Sequence, residues 1–214
     1  MIQYLLAPYA SYSVFQIFME SLAAILGILS VYFATKKNIL VYPIGIISTF
    51  IYTILLFQWQ LFGDMLINLY YTIMSIYGWI LWKNDTNAAQ IFQKSLDKKT
   101  IITLISLFTI STLLVLTIYI GHYAFNSHIL GFSLLKKLTW INYVDSISTA
   151  TFLIAMYLMA RKSILNWHFW ILGNTIAIPM FLEKGYAITA CQYVIFLILA
   201  FRGLVEWKRN PHKM

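Results

Sequence analysis

Asn166-Trp167-His168-Phe169-Trp170-Ile171-Leu172-Gly173-Asn174 is the stretch on which the reading of this chain turns. It sits inside an apolar segment long enough to cross a bilayer. Trp167, Trp170 and Asn174 fall at i, i+3 and i+7. At about 100° per residue this spacing puts all three on one narrow face of a helix. Two indole rings and a carboxamide on one stripe can stack a flat ring and hydrogen-bond its edge. An amide in lipid is costly until something satisfies it, so Asn174 requires a partner. Two readings stand at this point. The stripe holds a ligand, or the tryptophans mark the membrane interface and Asn174 bonds a neighbouring helix.

Working outward, composition sets the class. The 214 residues are 61% hydrophobic and 10% charged, with a mean hydropathy of +0.76. Soluble domains carry roughly 25% charge. This is the composition of a polytopic membrane protein with little mass outside the bilayer, and it leaves no room for a polar catalytic domain. The net charge of +8 reads as membrane topology rather than nucleic-acid binding. The single cysteine, Cys191, offers neither an intramolecular disulfide nor a multi-thiolate site. No His or carboxylate pair has metal spacing, so no metal, cofactor or catalytic residue is expected. The N-terminus lacks a signal peptide's charged region and cleavage site. Met1–Ser13, with Ile2, Tyr4, Leu5, Leu6 and Tyr9, is too short to span and reads as an interfacial segment.

A helical span needs about 20 apolar residues. Seven are expected: Val14–Thr35, Ile39–Phe57, Phe62–Trp82, Thr100–Ile120, Ile141–Ala160, Ile164–Leu182 and Tyr186–Trp207. Lys83–Lys99 is the most polar stretch, and Gly121–Trp140 forms a second long connection. The remaining links are short, which makes sequential helices antiparallel neighbours. Lys36, Lys37, Lys83, Lys94, Lys98, Lys99, Arg161, Lys162, Arg202, Lys208, Arg209 and Lys213 fall on one side of the membrane. Only Lys136, Lys137 and Lys184 fall on the other. That bias places the C-terminus in the cytoplasm and the N-terminus outside the cell (inner) membrane.

An internal repeat organises these spans. Shifted by 125 residues, Ser21 meets Ser146, Tyr32 meets Tyr157, and Lys36-Lys37 meets Arg161-Lys162. Tyr42 meets Trp167, Gly78 meets Gly203, and Trp82 meets Trp207. Identities are few, but the alignment runs through three helices without a gap. The expected fold is all-α, one transmembrane domain over residues 1–214, built as 3+1+3. Repeat one covers 14–82, a connector helix 100–120, and repeat two 141–207. Three spans reverse the side of the membrane and the fourth restores it, so the two repeats are parallel, as in SWEET-type facilitators. Such repeats hold substrate near the midplane between them.

The 3+1+3 plan, the paired basic loops and Trp167-x-x-Trp170-x-x-x-Asn174 resemble the PnuC-type vitamin transporters. Phe57-Gln58-Trp59-Gln60-Leu61-Phe62 and Ile76-Tyr77-Gly78-Trp79-Ile80-Leu81-Trp82 look like that family's first repeat. Asp145-Ser146, Arg161-Lys162 and Asn166-Trp167 look like its second. The resemblance covers roughly Glu20 to Trp207. It implies a facilitator for nicotinamide riboside, with thiamine and riboflavin carriers as relatives, and a homotrimer with one pathway per protomer. Where some relatives carry Gln in the third span, this chain has the shorter Asn68.

On this reading Trp167 and Trp170 offer faces to a cationic pyridinium, an attraction of about 0.5–2 kcal/mol. Asn174 has one acceptor and two donors for a carboxamide or a ribose hydroxyl. Asn68 and Gln192 are the other uncharged amides deep in spans, and Tyr71, Tyr193 and Tyr42 add hydroxyls. Each can instead make a helix–helix hydrogen bond, worth about 0.6 kcal/mol. Glu20, Asp64, Asp145 and Glu206 lie near span ends, and no estimated span centre carries a charge. Proton-coupled carriers need a titratable group in the pathway. Its absence favours facilitated diffusion, with accumulation left to a cytoplasmic enzyme such as a kinase. Asp64 and Asp145 either draw cations to an outer vestibule or cap helices. Pro179 and Gly173 make the sixth span either a moving part or a packing element. Three classes remain: a facilitator of a small aromatic vitamin, a SWEET-like sugar facilitator, and a membrane enzyme or assembly subunit. The last would want a His, Asp or Glu cluster, which the sequence lacks.

Overall fold

The computed structural model describes residues 12–59, 62–84, 97–127, 135–183 and 187–209. All of the proposed interfacial segment but Tyr12 and Ser13, most of the polar stretch after the third span, and Lys94, His128, Lys184, His212 and Lys213 lie outside them. Among the described residues there are seven α-helices: α1 (Val14–Thr35), α2 (Val41–Gln58), α3 (Phe62–Asn84), α4 (Lys98–Ser127), α5 (Trp140–Ala160), α6 (Leu165–Glu183) and α7 (Ala187–Arg209). Six of them are long and apolar enough to cross a membrane. The exception is α6, where Asn166, His168 and Asn174 dilute the apolar content of its 19 residues. The helix runs on through Pro179 to Glu183.

Local chemistry sets the ends. Ser13 caps α1 by accepting from the Gln16 amide (3.2 Å), while the Gln16 side chain accepts from the Ser13 amide (3.0 Å). Thr139 and Asn142 make the corresponding box at α5. α1 closes with Lys37 NH donating to Ala34 O and Asn38 NH to Phe33 O, both at 3.0 Å. α5 closes the same way, Lys162 to Met159 O and Ser163 to Leu158 O, both at 2.9 Å. Both are Schellman endings, which put one residue in the left-handed region, usually glycine. Here it is a lysine each time, with φ of 56° at Lys37 and at Lys162.

α4 differs from expectation. It continues through Gly121 to Ser127 instead of ending at Ile120. One helical glycine costs only about 1 kcal/mol relative to alanine. Two side chains tie this end of α4 to α5: Tyr119 OH, just before the extension, donates to Asp145 Oδ2, and Tyr123 OH, within it, donates to Asn142 Oδ1 (3.4 Å).

α1 packs on α2, α2 on α3, α3 on α5, α5 on α6, α6 on α7, and α7 returns to α1, with α4 laid against α5. The most buried helix is α5. Its Ser146, Ser148, Thr149, Ala150, Thr151 and Ala155 let neighbouring backbones approach closely. Ser146 and Thr151 donate to carbonyls one turn back, at 2.7 and 2.8 Å, so these hydroxyls are buried with their donors satisfied. Ser30 to Val41 O and Ser48 to Ala23 O, both 2.7 Å, tie α1 to α2.

Candidate functional site

The stripe on α6 faces the protein. Asn166, Trp167, Gly173, Asn174, Ala177 and Met180 are buried, and Trp170 is partly so. Asn174 is 1% exposed, and its Oδ1 accepts no hydrogen bond from the described residues. The Trp170 Nε1 likewise has no partner. A helix–helix bond through these two atoms is therefore not made. Both polar atoms are buried without a protein partner among the described residues, as are Trp167 Nε1 and Asn166 Oδ1 of the same helix, and a buried polar atom calls for a partner.

Trp170 lies in a wall of rings. Its centroid is 5.6 Å from Phe152 on α5 and 6.5 Å from Tyr71 on α3. Phe152 stacks on Tyr193 of α7 (5.7 Å, 17°), and Tyr193 stacks in turn on Phe181 (5.1 Å, 16°). The fold thus brings Trp170, Asn174, Tyr71 and Tyr193 into one region from three helices. The other two amides are engaged nearby. Asn68 Nδ2 donates to Asp64 O one turn back (3.0 Å), and Gln192 lies within side-chain hydrogen-bonding reach of Tyr52. Asp64 and Asp145 lie close enough to both Tyr119 and Tyr193 to act on them electrostatically. Asp145 takes its hydrogen bond from Tyr119 of α4, so it joins two helices instead of capping one.

Trp167 and Tyr42 lie apart from the Phe152–Tyr193 rings, in a cluster against which Trp170 also packs. Both are fully buried in this cluster at the basic-loop end, with Ala34, Trp82, Met159 and Trp207. Tyr42 meets Trp82 edge-on (5.1 Å, 84°), and Trp167 meets Trp207 edge-on (5.5 Å, 85°). Gly78 and Gly203 supply the floor under them: a Cβ at Gly78 would collide with the Tyr42 ring, and one at Gly203 with the Trp167 ring. The cluster is bonded crosswise. Trp82 Nε1 donates to Met159 O (3.3 Å), and Trp207 Nε1 donates to Ala34 O (2.9 Å). The two left-handed lysines complete it, Lys162 Nζ lying 5.5 Å from the Trp82 ring and Lys37 Nζ 5.8 Å from the Trp207 ring. Burial lowers the Lys37 ammonium from its ordinary value. Next to it Lys36 pairs with Glu206 at 3.3 Å. Rings, lysines and backbone close this end, and the Trp170–Asn174 region lies one to two turns further along α6.

A sequence profile of the nicotinamide mononucleotide transporter family matches residues 17–209. The chain belongs to this family, the PnuC transporters. It is 26% identical over 201 residues to the nicotinamide riboside transporter PnuC of Escherichia coli, an alignment covering 88% of this chain and 84% of that one. It is 23% identical over 204 residues to PnuC of Neisseria mucosa, covering 89% and 72%. It is also 21% identical over 197 residues to the riboflavin/roseoflavin transporter RibM of Streptomyces davaonensis, covering 89% and 84%. A solved structure described as the vitamin B3 transporter PnuC shares its fold, with a TM-score of 0.62 at 22% identity over 90% of this chain and 81% of that one. As a PnuC-family chain it is a multi-pass membrane transporter with a small-molecule substrate.

The sequence reading missed three features. Phe152 is one apolar residue among many, and nothing in its spacing marks it. Lys37 and Lys162 count in the sequence as topological charges and as a matched pair of the repeat, but nothing there sets their ammonium groups against the Trp207 and Trp82 rings. The Tyr119–Asp145 link depends on where α4 lies, which hydropathy does not report.

Proposed function

We propose that this chain carries nicotinamide riboside by facilitated diffusion, the substrate being trapped afterwards by a cytoplasmic kinase. The observation that carries this reading is the buried Asn174 Oδ1, without a protein hydrogen-bond partner among the described residues, one turn from a Trp170 ring that lies beside Phe152 and Tyr71. A flat cation stacks on the indole, and its carboxamide bonds Asn174. Asn68 and Gln192 line the approach from the outer side. Trp167 and Tyr42 act from below, as part of the basic-end closure. The names of the Escherichia coli and Neisseria mucosa relatives support this substrate. The riboflavin/roseoflavin relative favours one second reading, a flavin carrier.

The architecture proposed with it is seven spans in a 3+1+3 plan, repeat one over 14–82 and repeat two over 141–207, assembled as a homotrimer. The matched Schellman endings, the matched glycine floors and the crosswise tryptophan bonds, all at the 125-residue offset, support the repeat. So does the packing, in which α1 on α7 corresponds to α5 on α3. The C-terminus is assigned to the cytoplasm on the distribution of Lys and Arg.

The test is uptake of nicotinamide riboside into sealed liposomes holding the purified protein. Saturable entry that stops at equal concentrations and ignores an uncoupler is the expected result. Accumulation driven by an imposed proton or sodium gradient refutes the facilitated mechanism. Entry of riboflavin in place of nicotinamide riboside moves the chain to the second reading.

A further inference from the structure

We propose that Phe152 sets the size of ring this site accepts, an inference that rests on Trp170 and Asn174 holding the ligand. Phe152 is 7% exposed and stands between two other rings, 5.6 Å from Trp170 and 5.7 Å from Tyr193. It occupies one slot in a row running Trp170, Phe152, Tyr193, Phe181. Its position is held from behind by Gly173, the neighbour of Asn174. A Cβ on Gly173 would collide with the Phe152 ring, so the ring lies directly on the α6 backbone.

The chain contains its own control for what this helix pair needs. At the 125-residue offset Phe152 corresponds to Gly27, Gly173 to Ser48, Trp170 to Gly45 and Asn174 to Thr49. The α1–α2 pair packs with no ring at the Gly27 position. A Cβ there would lie 3.2 Å from Ser48 Oγ, and that hydroxyl already bonds Ala23 O across the contact. Joining two such helices therefore does not require an aromatic residue. Phe152, Trp170 and Asn174 thus have the smaller Gly27, Gly45 and Thr49 as counterparts, whereas Trp167 pairs with Tyr42, and Tyr71, which itself lies in the first half, pairs with Phe196. Phe152 is an added ring, and what it adds is a limit beside Trp170.

The chemistry of the limit is simple. A single pyridinium ring needs one indole face and an amide at its edge. A three-ring isoalloxazine needs the width that Phe152 fills. Replacing Phe152 with alanine opens that slot between Trp170 and Tyr193, whose aromatic faces favour a second and third fused ring. Phe152→Leu keeps most of the bulk without the ring. Gly173→Ala keeps the ring but pushes it off its seat.

The experiment is calorimetric titration of the purified protein with nicotinamide riboside and with riboflavin. Wild type is expected to bind nicotinamide riboside and not riboflavin. In Phe152→Ala, riboflavin binding appears while nicotinamide riboside weakens about tenfold, the scale of one lost aromatic contact. Phe152→Leu still excludes riboflavin. Gly173→Ala weakens nicotinamide riboside and admits no flavin. Tight riboflavin binding by wild type overturns the proposal, as does Phe152→Ala with both affinities within about twofold of wild type. Should Phe152→Ala not fold, wild-type affinity for nicotinamide riboside in both Phe152→Leu and Gly173→Ala overturns it. Failure of the underlying reading has a separate signature: wild type that does not bind nicotinamide riboside, or Trp170→Ala that binds it normally.

Discussion

Replacing Asn174 with leucine should make the ligand-free protein more stable and the ligand bind less well. The two effects have one cause. Asn174 is 1% exposed, and its Oδ1 accepts no hydrogen bond from the described residues. A buried acceptor left unmet costs about 1–3 kcal/mol. Leucine has a similar size and no polar atom, so it removes that cost, less whatever strain its different shape introduces, about 1 kcal/mol for a near-isosteric swap. The ligand-free melting temperature should therefore hold or rise. Binding moves the other way. Losing one neutral hydrogen bond costs about 0.5–1.5 kcal/mol, or roughly a two- to twelvefold weaker affinity. If the ligand's own amide is left buried and unpaired, the loss reaches about 100-fold. Thermal unfolding of the detergent-solubilised protein with and without nicotinamide riboside, joined to calorimetric titration, reads both effects on one sample. Asn174→Asp sharpens the result: an ionised carboxylate should repel neutral ligands with acceptor edges while keeping or raising affinity for a pyridinium cation. A lower ligand-free melting temperature with unchanged affinity in Asn174→Leu would mean that the amide is a helix–helix bond, and the site assignment would fall.

Other expectations follow from particular contacts. Gly203→Ala should lower the melting temperature, because its Cβ meets the fully buried Trp167 ring at 2.5 Å, and overpacking costs about 1–3 kcal/mol. Gly121→Ala has nothing within 4 Å and should instead stabilise the long α4, by about 1 kcal/mol or less; equal effects of the two would refute the packing described for Gly203. Trp82→Phe and Trp207→Phe each remove one indole donor from the basic-end closure, at 3.3 and 2.9 Å. Each should cost about 0.5–1.5 kcal/mol in thermal unfolding, and the pair together should raise labelling of a cysteine placed at Ala34 by cytoplasmic-side reagent; unchanged labelling would count against a closure at this end. A reporter fused after Met214 should read as cytoplasmic and one inserted at Ser127 as external. Labelling of a cysteine at Lys98 by an impermeant reagent in intact cells would reverse that orientation.

Much of this protein is legible in its sequence because a bilayer demands it. Hydrocarbon has no water to meet a backbone N–H or C=O, so a segment long and apolar enough to cross must be helical, and its length can be counted from residue types. The 125-residue offset pairs Lys37 with Lys162 before any coordinate is known. The inward face of α6 was readable for a special reason: Trp167, Trp170 and Asn174 stand out against Ile, Leu and Phe. Elsewhere that contrast is missing. In a chain apolar on every side, hydropathy reports depth in the membrane and not direction around the helix. Nothing local says that α5 is the central helix, that Phe152 stands between Trp170 and Tyr193, or that Asp145 meets Tyr119. Nor does it say that Trp82 bonds a carbonyl in the other half of the chain while Trp207 bonds back. These were decided only when the helices packed. The residues involved are far apart in the chain, and the preference of one for another exists only at contact distance.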